Sequence, residues 1–315
     1  MGKDTMDLAA DYVVEAILRD ELARETRALS AVVPVLRHLL GSEAQILVSD
    51  VILARVRGMI VDLAAQLVAL HAGYDPATRT AGIDPAAHDR LAETLMADEV
   101  LLAFCHALAT ESLIAERLQQ SHGIDPVLSP LLQELIASED AAVAGLAMRT
   151  LAAQSRFVQS QRRMQLPLGE LPAELFHALL TRAQSGALGA ADGGADMAEM
   201  QRAYDEAASR LGLLARLIAG LRRGALAALV LDHAGIALFA AAVAAATRTA
   251  RPAAVLACHE GQGVRLALLL RAAGLAPPAI ERQVQIIEPG ARLPRALAEL
   301  PAERAAALLA AGGPE

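Results

Sequence analysis

The sequence predicts an all-α fold, and three observations carry that prediction. Ala and Leu dominate the 55% of residues that are hydrophobic, and both are strong helix formers. The residues that favour sheets are scarce, with no Trp, 3 Tyr and 4 Phe in 315 residues. Capping side chains recur directly before proline, at Asp84-Pro85, Asp125-Pro126 and Ser129-Pro130, where a first-turn proline is tolerated. The expected architecture is a set of helical hairpins, in an irregular bundle or a HEAT-like array, with no substantial sheet. Mean hydropathy is +0.38, so a core is readily built, and the length admits one large domain or two moderate ones.

Taken in order, the start and stop signals predict helices over 4–28 and 30–40. A capping box follows at Ser42-Glu43-Ala44-Gln45, directly after Gly41. It opens a long central helix over 43–72, about 45 Å at 1.5 Å per residue. Within it Leu53, Val56, Ile60, Leu63, Leu67 and Leu70 alternate spacings of three and four, one heptad after Ile46, which makes an a/d seam. Such a seam needs a partner along its whole length. It is either the central helix of an intramolecular bundle or the interface of a homodimer, and both write the same pattern. Further helices are expected over 85–96, 98–121, 130–138, 140–163, 172–184, 196–222, 225–233, 235–248, 262–273, 277–287 and 294–311.

Residues 129–154, SPLLQELIASEDAAVAGLAMRTLAAQ, read as an antiparallel helix pair turning at Ser138-Glu139-Asp140. This is how a HEAT-type hairpin looks, and a weaker echo lies around Ala97-Asp98-Glu99. The stretch SGALGAADGGA over 185–195 lacks a core stripe and reads as a flexible linker. It would divide an N-terminal helical domain, 1–184, from a C-terminal one, 196–315.

The formal charge is −8 and unevenly placed: residues 1–168 hold 14 basic and 22 acidic side chains, and residues 169–315 hold 14 of each. An acidic chain repels phosphate backbones, which disfavours nucleic acid as a partner. Two cysteines, Cys105 and Cys258, make no disulfide framework. The opening MGKDTMDLAADYVVEA lacks the basic and apolar regions of a signal peptide, and Met6 stands where myristoylation of Gly2 wants Ser or Thr. The longest uncharged apolar run, 234–247, is too short for a bilayer, which needs about 20 residues. A soluble, cytoplasmic protein with no membrane span is expected.

Catalytic chemistry is hard to find in the pattern. The eight histidines show no H-x-x-x-H or H-E-x-x-H spacing. The neighbours in Cys105-His106 and Cys258-His259-Glu260 diverge by about 100° on a helix, so no metal site is assigned. There is no G-x-S-x-G elbow, and Cys105 sits in an apolar helix as a small hydrophobe; no catalytic residue and no cofactor is assigned. Gly261-Gln262-Gly263 would cradle an anion at a helix start, but Leu266 stands where the dinucleotide fingerprint needs its third glycine, so a helix–turn–helix corner is expected there. Arg149, Arg156 and Arg163 recur every seven residues beside Gln159, Gln161 and Arg162. This basic stripe would meet an acidic partner surface or RNA, or else pair with the acidic first half of the chain.

From Leu211 onward the chain resembles an alphaproteobacterial all-helical family of unknown function, DUF2336. The resemblance is carried by LAALVL at 226–231, GIALF at 235–239, Val255-Leu256 before His259-Glu260-Gly261, and Gly263-Val264-Arg265 through Ala272-Ala273-Gly274-Leu275-Ala276-Pro277. Residues 131–180, including RFVQSQRRMQLPLGELPAELF, are similar to that family's central part. Ile236 and a lone Phe239 stand where members tend to carry an acidic residue and paired aromatics. The resemblance implies an all-helical, HEAT-like fold and brings no activity or site residue with it.

Three functional readings follow. The first is a non-enzymatic protein-interaction or regulatory scaffold, binding another protein or a second copy through the Leu53 to Leu70 seam and the arginine stripe. The second is a small-molecule sensor or enzyme with a C-terminal pocket, in which Asp232, His233, His259 and Glu260 converge if the 234–247 helix folds back. Nucleic-acid binding through Arg149, Arg156 and Arg163 stands third.

Overall fold

The structure, a computed structural model, describes residues 3–41, 49–78, 84–184 and 194–311. Among them every regular element is helical and none is a strand. The first helix, α1 (Lys3–Gly41), is continuous through Pro34, joining what the signals read as two helices. The next, α2 (Asp50–His71), starts after Ser49; the capping box at 42–45 and Ile46 lie outside the described residues. Then follow α3 (Pro85–Met96), α4 (Glu99–His122), α5 (Pro130–Ile136), α6 (Ala141–Arg162) and α7 (Ala173–Arg182), close to expectation. Two of the three proline signals open helices as read: Asp84 caps α3 by accepting the Ala86 N–H at 3.0 Å and Ser129 caps α5 by accepting the Leu132 N–H at 3.3 Å, whereas Asp125-Pro126 opens only a bend. The turn before α6 ends on Asp140, which caps it through the Ala142 N–H at 2.9 Å.

The expected 196–222 helix is broken in two, α8 (Gly194–Ala203) and α9 (Arg210–Gly220), by a 3₁₀ turn over Glu206–Ala208. Asp205 caps that turn by accepting the Ala207 N–H at 2.9 Å. Gly212 packs against it so closely that a Cβ there would lie 2.3 Å from the Glu206 carbonyl oxygen. Tyr204 ties the break down, donating from its hydroxyl to the Leu171 carbonyl at 2.7 Å. The 225–233 helix is instead a 3₁₀ stretch, Arg222–Leu229, leading into α10 (Leu231–Thr247), which bends where Gly235 adopts φ 67° and ψ 162°. After it come α11 (Arg251–Ala257), α12 (Gly263–Ala272), α13 (Pro277–Ile287) and α14 (Ala302–Ala311). Pro301 splits the expected last helix, leaving a 3₁₀ turn at Arg295–Ala298 ahead of α14.

The chain divides into two compact units that interleave in sequence: an inner unit of residues 33–113 and 135–217, and a flanking unit of 1–32, 114–134 and 218–315. The boundary read at 185–195 is therefore corrected. Residues 185–193 lie outside the described residues, and both flanks belong to the inner unit, where Ala183 and Met197 enter one core.

In the inner unit α2 is the spine. Val56, Ile60, Leu63 and Leu67 are wholly buried, Leu70 nearly so, and Leu53 is half-buried. They pack with Leu91 and Leu95 of α3, Leu101 and Leu102 of α4, and Phe176 and Leu179 of α7. The seam is thus the core of this unit, and its reading as a homodimer interface is corrected: the chain supplies its own cover. In the flanking unit α10 plays the same part, with every residue from 234 to 243 buried. Its apolar run is a core helix. No single described helix is long and apolar enough to cross a membrane.

Candidate anion-binding sites

The sequence offers two places for an anion, and the structure treats them differently. At Gly261-Gln262-Gly263, Val255 to Cys258 is α11 and its cap rather than a strand. Gly261, at φ 78°, turns the chain into α12. The first amides of α12 are already taken: Glu25 of α1 accepts the Val264 N–H at 3.0 Å and the Arg265 N–H at 2.8 Å. The Gly261 N–H goes to Glu288 at 3.0 Å. The Arg265 guanidinium also hydrogen-bonds Thr26. Burial raises the Glu25 carboxyl above its ordinary value, and the two amide donors oppose that rise. A helix start favours a carboxylate, and this one receives it from its own chain.

The arginine stripe is the opposite case. Arg149, Arg156 and Arg163 are all exposed, and none forms an ion pair among the described residues. The expectation that they pair with the acidic first half is corrected: ion pairs of the inner unit fall elsewhere, as in Arg182–Asp98 at 2.5 Å. The helix dipole accounts for a cation at Arg163, at the end of α6, but not for Arg149 or Arg156 further back.

Beside this face the chain builds a cavity. Arg156, Gln159, Ser160 and Arg163 stand at i, i+3, i+4 and i+7, on one face of α6. Past its end Met164 takes a left-handed φ of 55° and reverses the chain. It fits because Gly58 of α2 lies beneath it, where a Cβ would be 2.4 Å from the Met164 Cβ. The following segment is strapped along α2 by two buried polar side chains. Asp62 accepts the Leu166 N–H at 3.0 Å. Gln66 donates to the Leu166 carbonyl at 2.9 Å and to Asp62 at 2.7 Å, and accepts the Leu168 N–H at 3.0 Å. The strap ends at Glu170, which accepts the Arg210 N–H at 2.7 Å.

Arg210, 2% exposed, fixes the opposite wall. Its guanidinium pairs with buried Glu111, donates to Gln154 at 2.7 Å, and lies 3.6 Å from the Phe157 ring centroid. Between α6, the strap and the start of α9 remains a cavity of about 340 Å³, with Leu108, Phe157, Leu166, Pro167 and Leu211 as apolar wall and Arg156 and Arg163 among its lining cations. Glu111 neutralises the third cation, Arg210. Gln161, 1% exposed, donates to Met59 Sδ at 3.3 Å, while its Oε1 has no hydrogen-bond partner. Glu170 is the one carboxylate in the cavity lining.

The C-terminal residues read as a convergent pocket are not brought together. Asp232 pairs with Arg282 at 2.5 Å, His233 lies 3.3 Å from Glu134, and His259 Nδ1 lies 2.8 Å from the Glu260 carbonyl. Glu260 pairs with Arg117 at 2.6 Å and borders a cavity of about 170 Å³, which Asp232, His233 and His259 do not line. Each is occupied by its own neighbour, because the bent α10 is a core helix rather than a flap. Among the described residues no three His, Cys, Asp or Glu side chains group as metal ligands would. Both cysteines are free and buried, and burial raises the Cys105 thiol far above its usual range.

Pattern reading missed Asp62, Gln66, Glu111 and Arg210. A signal existed for two of them, since Asp62 and Glu111 are charges set within apolar runs. Fold and site define an all-helical protein with a polar-rimmed cavity and an unpaired cationic face. Compared with protein families, with curated proteins and with solved structures, the chain finds no match.

Proposed function

We propose that the chain is a non-enzymatic regulatory binding protein, whose inner unit recognises an acidic segment of a protein partner along the Arg149, Arg156 and Arg163 face of α6. The observation that carries this reading is three exposed cations in register, unpaired among the described residues of a chain of net charge −8. Such a chain holds an excess of carboxylates, so leaving these cations free keeps a charge-complementary surface open. Exposed Met148 and Met164, beside the outer two arginines, supply adaptable apolar contact. Arg149 to Arg163 spans about 21 Å of helix, a length that six or seven extended residues match at about 3.3 Å each. A short acidic segment suits the site better than a long nucleic acid, which the net charge repels. With both cysteines free and buried, we place the protein in the cytoplasm.

The test is fluorescence anisotropy of a labelled Glu-rich heptapeptide at several salt concentrations, alongside a single-stranded RNA of equal charge. Binding that weakens with salt and is lost when all three arginines become Gln supports the reading. Tighter binding of the RNA, or peptide binding indifferent to the triple substitution, refutes it.

A further inference from the structure

We propose that the cavity beside α6 is a binding site for a small organic anion: a carboxylate or phosphate on a ring-sized apolar body, carrying one hydrogen-bond donor. This deepens the preceding reading, because Arg156 and Arg163 serve both, but it concerns a different ligand in a different place.

Four features point the same way. The walls are built at an energetic disadvantage. A left-handed methionine costs of the order of 1–2 kcal/mol, and a buried ion pair such as Arg210–Glu111 adds little net stability over apolar side chains. Both lie at this cavity, the strained Met164 directly after lining residue Arg163, and local rules are broken together mainly where function requires it. Charge is the second feature: Glu111 neutralises Arg210, Arg156 and Arg163 outnumber Glu170, the one carboxylate in the lining, and guanidinium groups suit carboxylate and phosphate alike. The third is the apolar wall of Leu108, Phe157, Leu166, Pro167 and Leu211, which gives a ligand body somewhere to go. The fourth is the polar lining of Gln159, Ser160 and Gln165, whose side-chain oxygens can accept a hydrogen bond from a hydroxyl or amine on the ligand. At about 340 Å³ the cavity is at the small end of ligand sites, which start near 300 Å³.

Two probes share this chemistry and differ in head group: 4-hydroxybenzoate, with a carboxylate, and AMP, with a phosphate. Isothermal titration of the full chain with each, and with inorganic phosphate and adenosine as incomplete ligands, tests the site. We expect at least one whole probe to bind about tenfold tighter than either incomplete one, and Arg156→Gln with Arg163→Gln to weaken it about tenfold or more. Leu211→Trp should abolish binding by filling the cavity, and Arg162→Gln should leave it unchanged. The arginine substitutions lie on the surface, so the test stands even where Leu211→Trp fails to fold, which circular dichroism would reveal. Absence of binding by both whole probes overturns the proposal, as does binding that the double arginine variant does not weaken. Measuring the Glu-rich heptapeptide in parallel separates the two readings. Peptide binding without probe binding overturns the cavity proposal alone, and probe binding without peptide binding overturns only the acidic-partner reading.

Discussion

The start of α12 in the flanking unit and the α6 face of the inner unit both look, in sequence, like places for an anion. In the first, Glu25 and Glu288 deliver carboxylates to the waiting amides at 2.8–3.0 Å. In the second, three arginines stand exposed with no carboxylate paired to them among the described residues. An attractive local motif says only that an anion is welcome. Whether the anion comes from the chain or from outside is decided by residues more than two hundred positions away, as Glu25 is from Val264. The filled cradle is architecture, and the open face is a candidate for recognition.

The comparison can be broken at several strengths. The largest effect is expected behind the cavity wall: Glu111→Ala removes the buried carboxylate that Arg210 pairs with, and should lose about 3–5 kcal/mol of unfolding free energy in urea. Replacing both partners, with Leu and Met, should lose clearly less; equal losses would mean that packing and not charge is at stake. Next comes Gly58→Ala. Helix propensity favours Ala by about 1 kcal/mol, but the new Cβ would meet Met164 at 2.4 Å, so a net loss of about 1–3 kcal/mol is expected, and a thermal melt above that of the wild type would contradict the strap geometry.

Glu25→Ala removes the acceptor for two buried amides and should cost about 1–3 kcal/mol, whereas Glu25→Gln keeps one acceptor. The pH dependence has an unusual sign. Because the folded carboxyl titrates above its ordinary value of 4.5, the folded state holds the proton more tightly than the unfolded one. Stability from this group is thus complete below that value and is lost as pH rises through the folded one. Wild type measured against Glu25→Gln should gain on acidification from pH 7. Glu15, on the same helix, is held low by its hydrogen bond to Arg304, so its contribution runs the other way and is lost on acidification. The smallest effect on stability is expected from Gln at Arg149, Arg156 and Arg163 together, within about 0.5 kcal/mol, since none supports the fold through an ion pair.

Much of this fold was legible from composition and caps, because Ala- and Leu-rich helices bounded by Asp-Pro and Ser-Pro signals depend on neighbours close in sequence. What escaped was set by distance along the chain. The α2 seam could not be told from a dimer interface, since α3, α4 and α7 supply the same apolar cover that a second copy would. The break at 204–209 depends on Gly212 meeting Glu206 and on Tyr204 reaching Leu171, neither of which alters the helical period. The arginine register of α6 was plain in the sequence, but the cavity beside it was not. Its walls are held in place by Asp62, Gln66, Glu111 and Arg210, buried polar residues that join segments about 100 residues apart.

The most direct test is a spectrum of arginine side-chain Nε–Hε signals, recorded while the Glu-rich heptapeptide is added. The account predicts that the signals of Arg149, Arg156 and Arg163 move together and saturate, while those of Arg210 and Arg265, already held by Glu111 and Thr26, stay still. Uniform small shifts over all exposed arginines, including Arg248 and Arg292, or no shift at the three on α6, would contradict it.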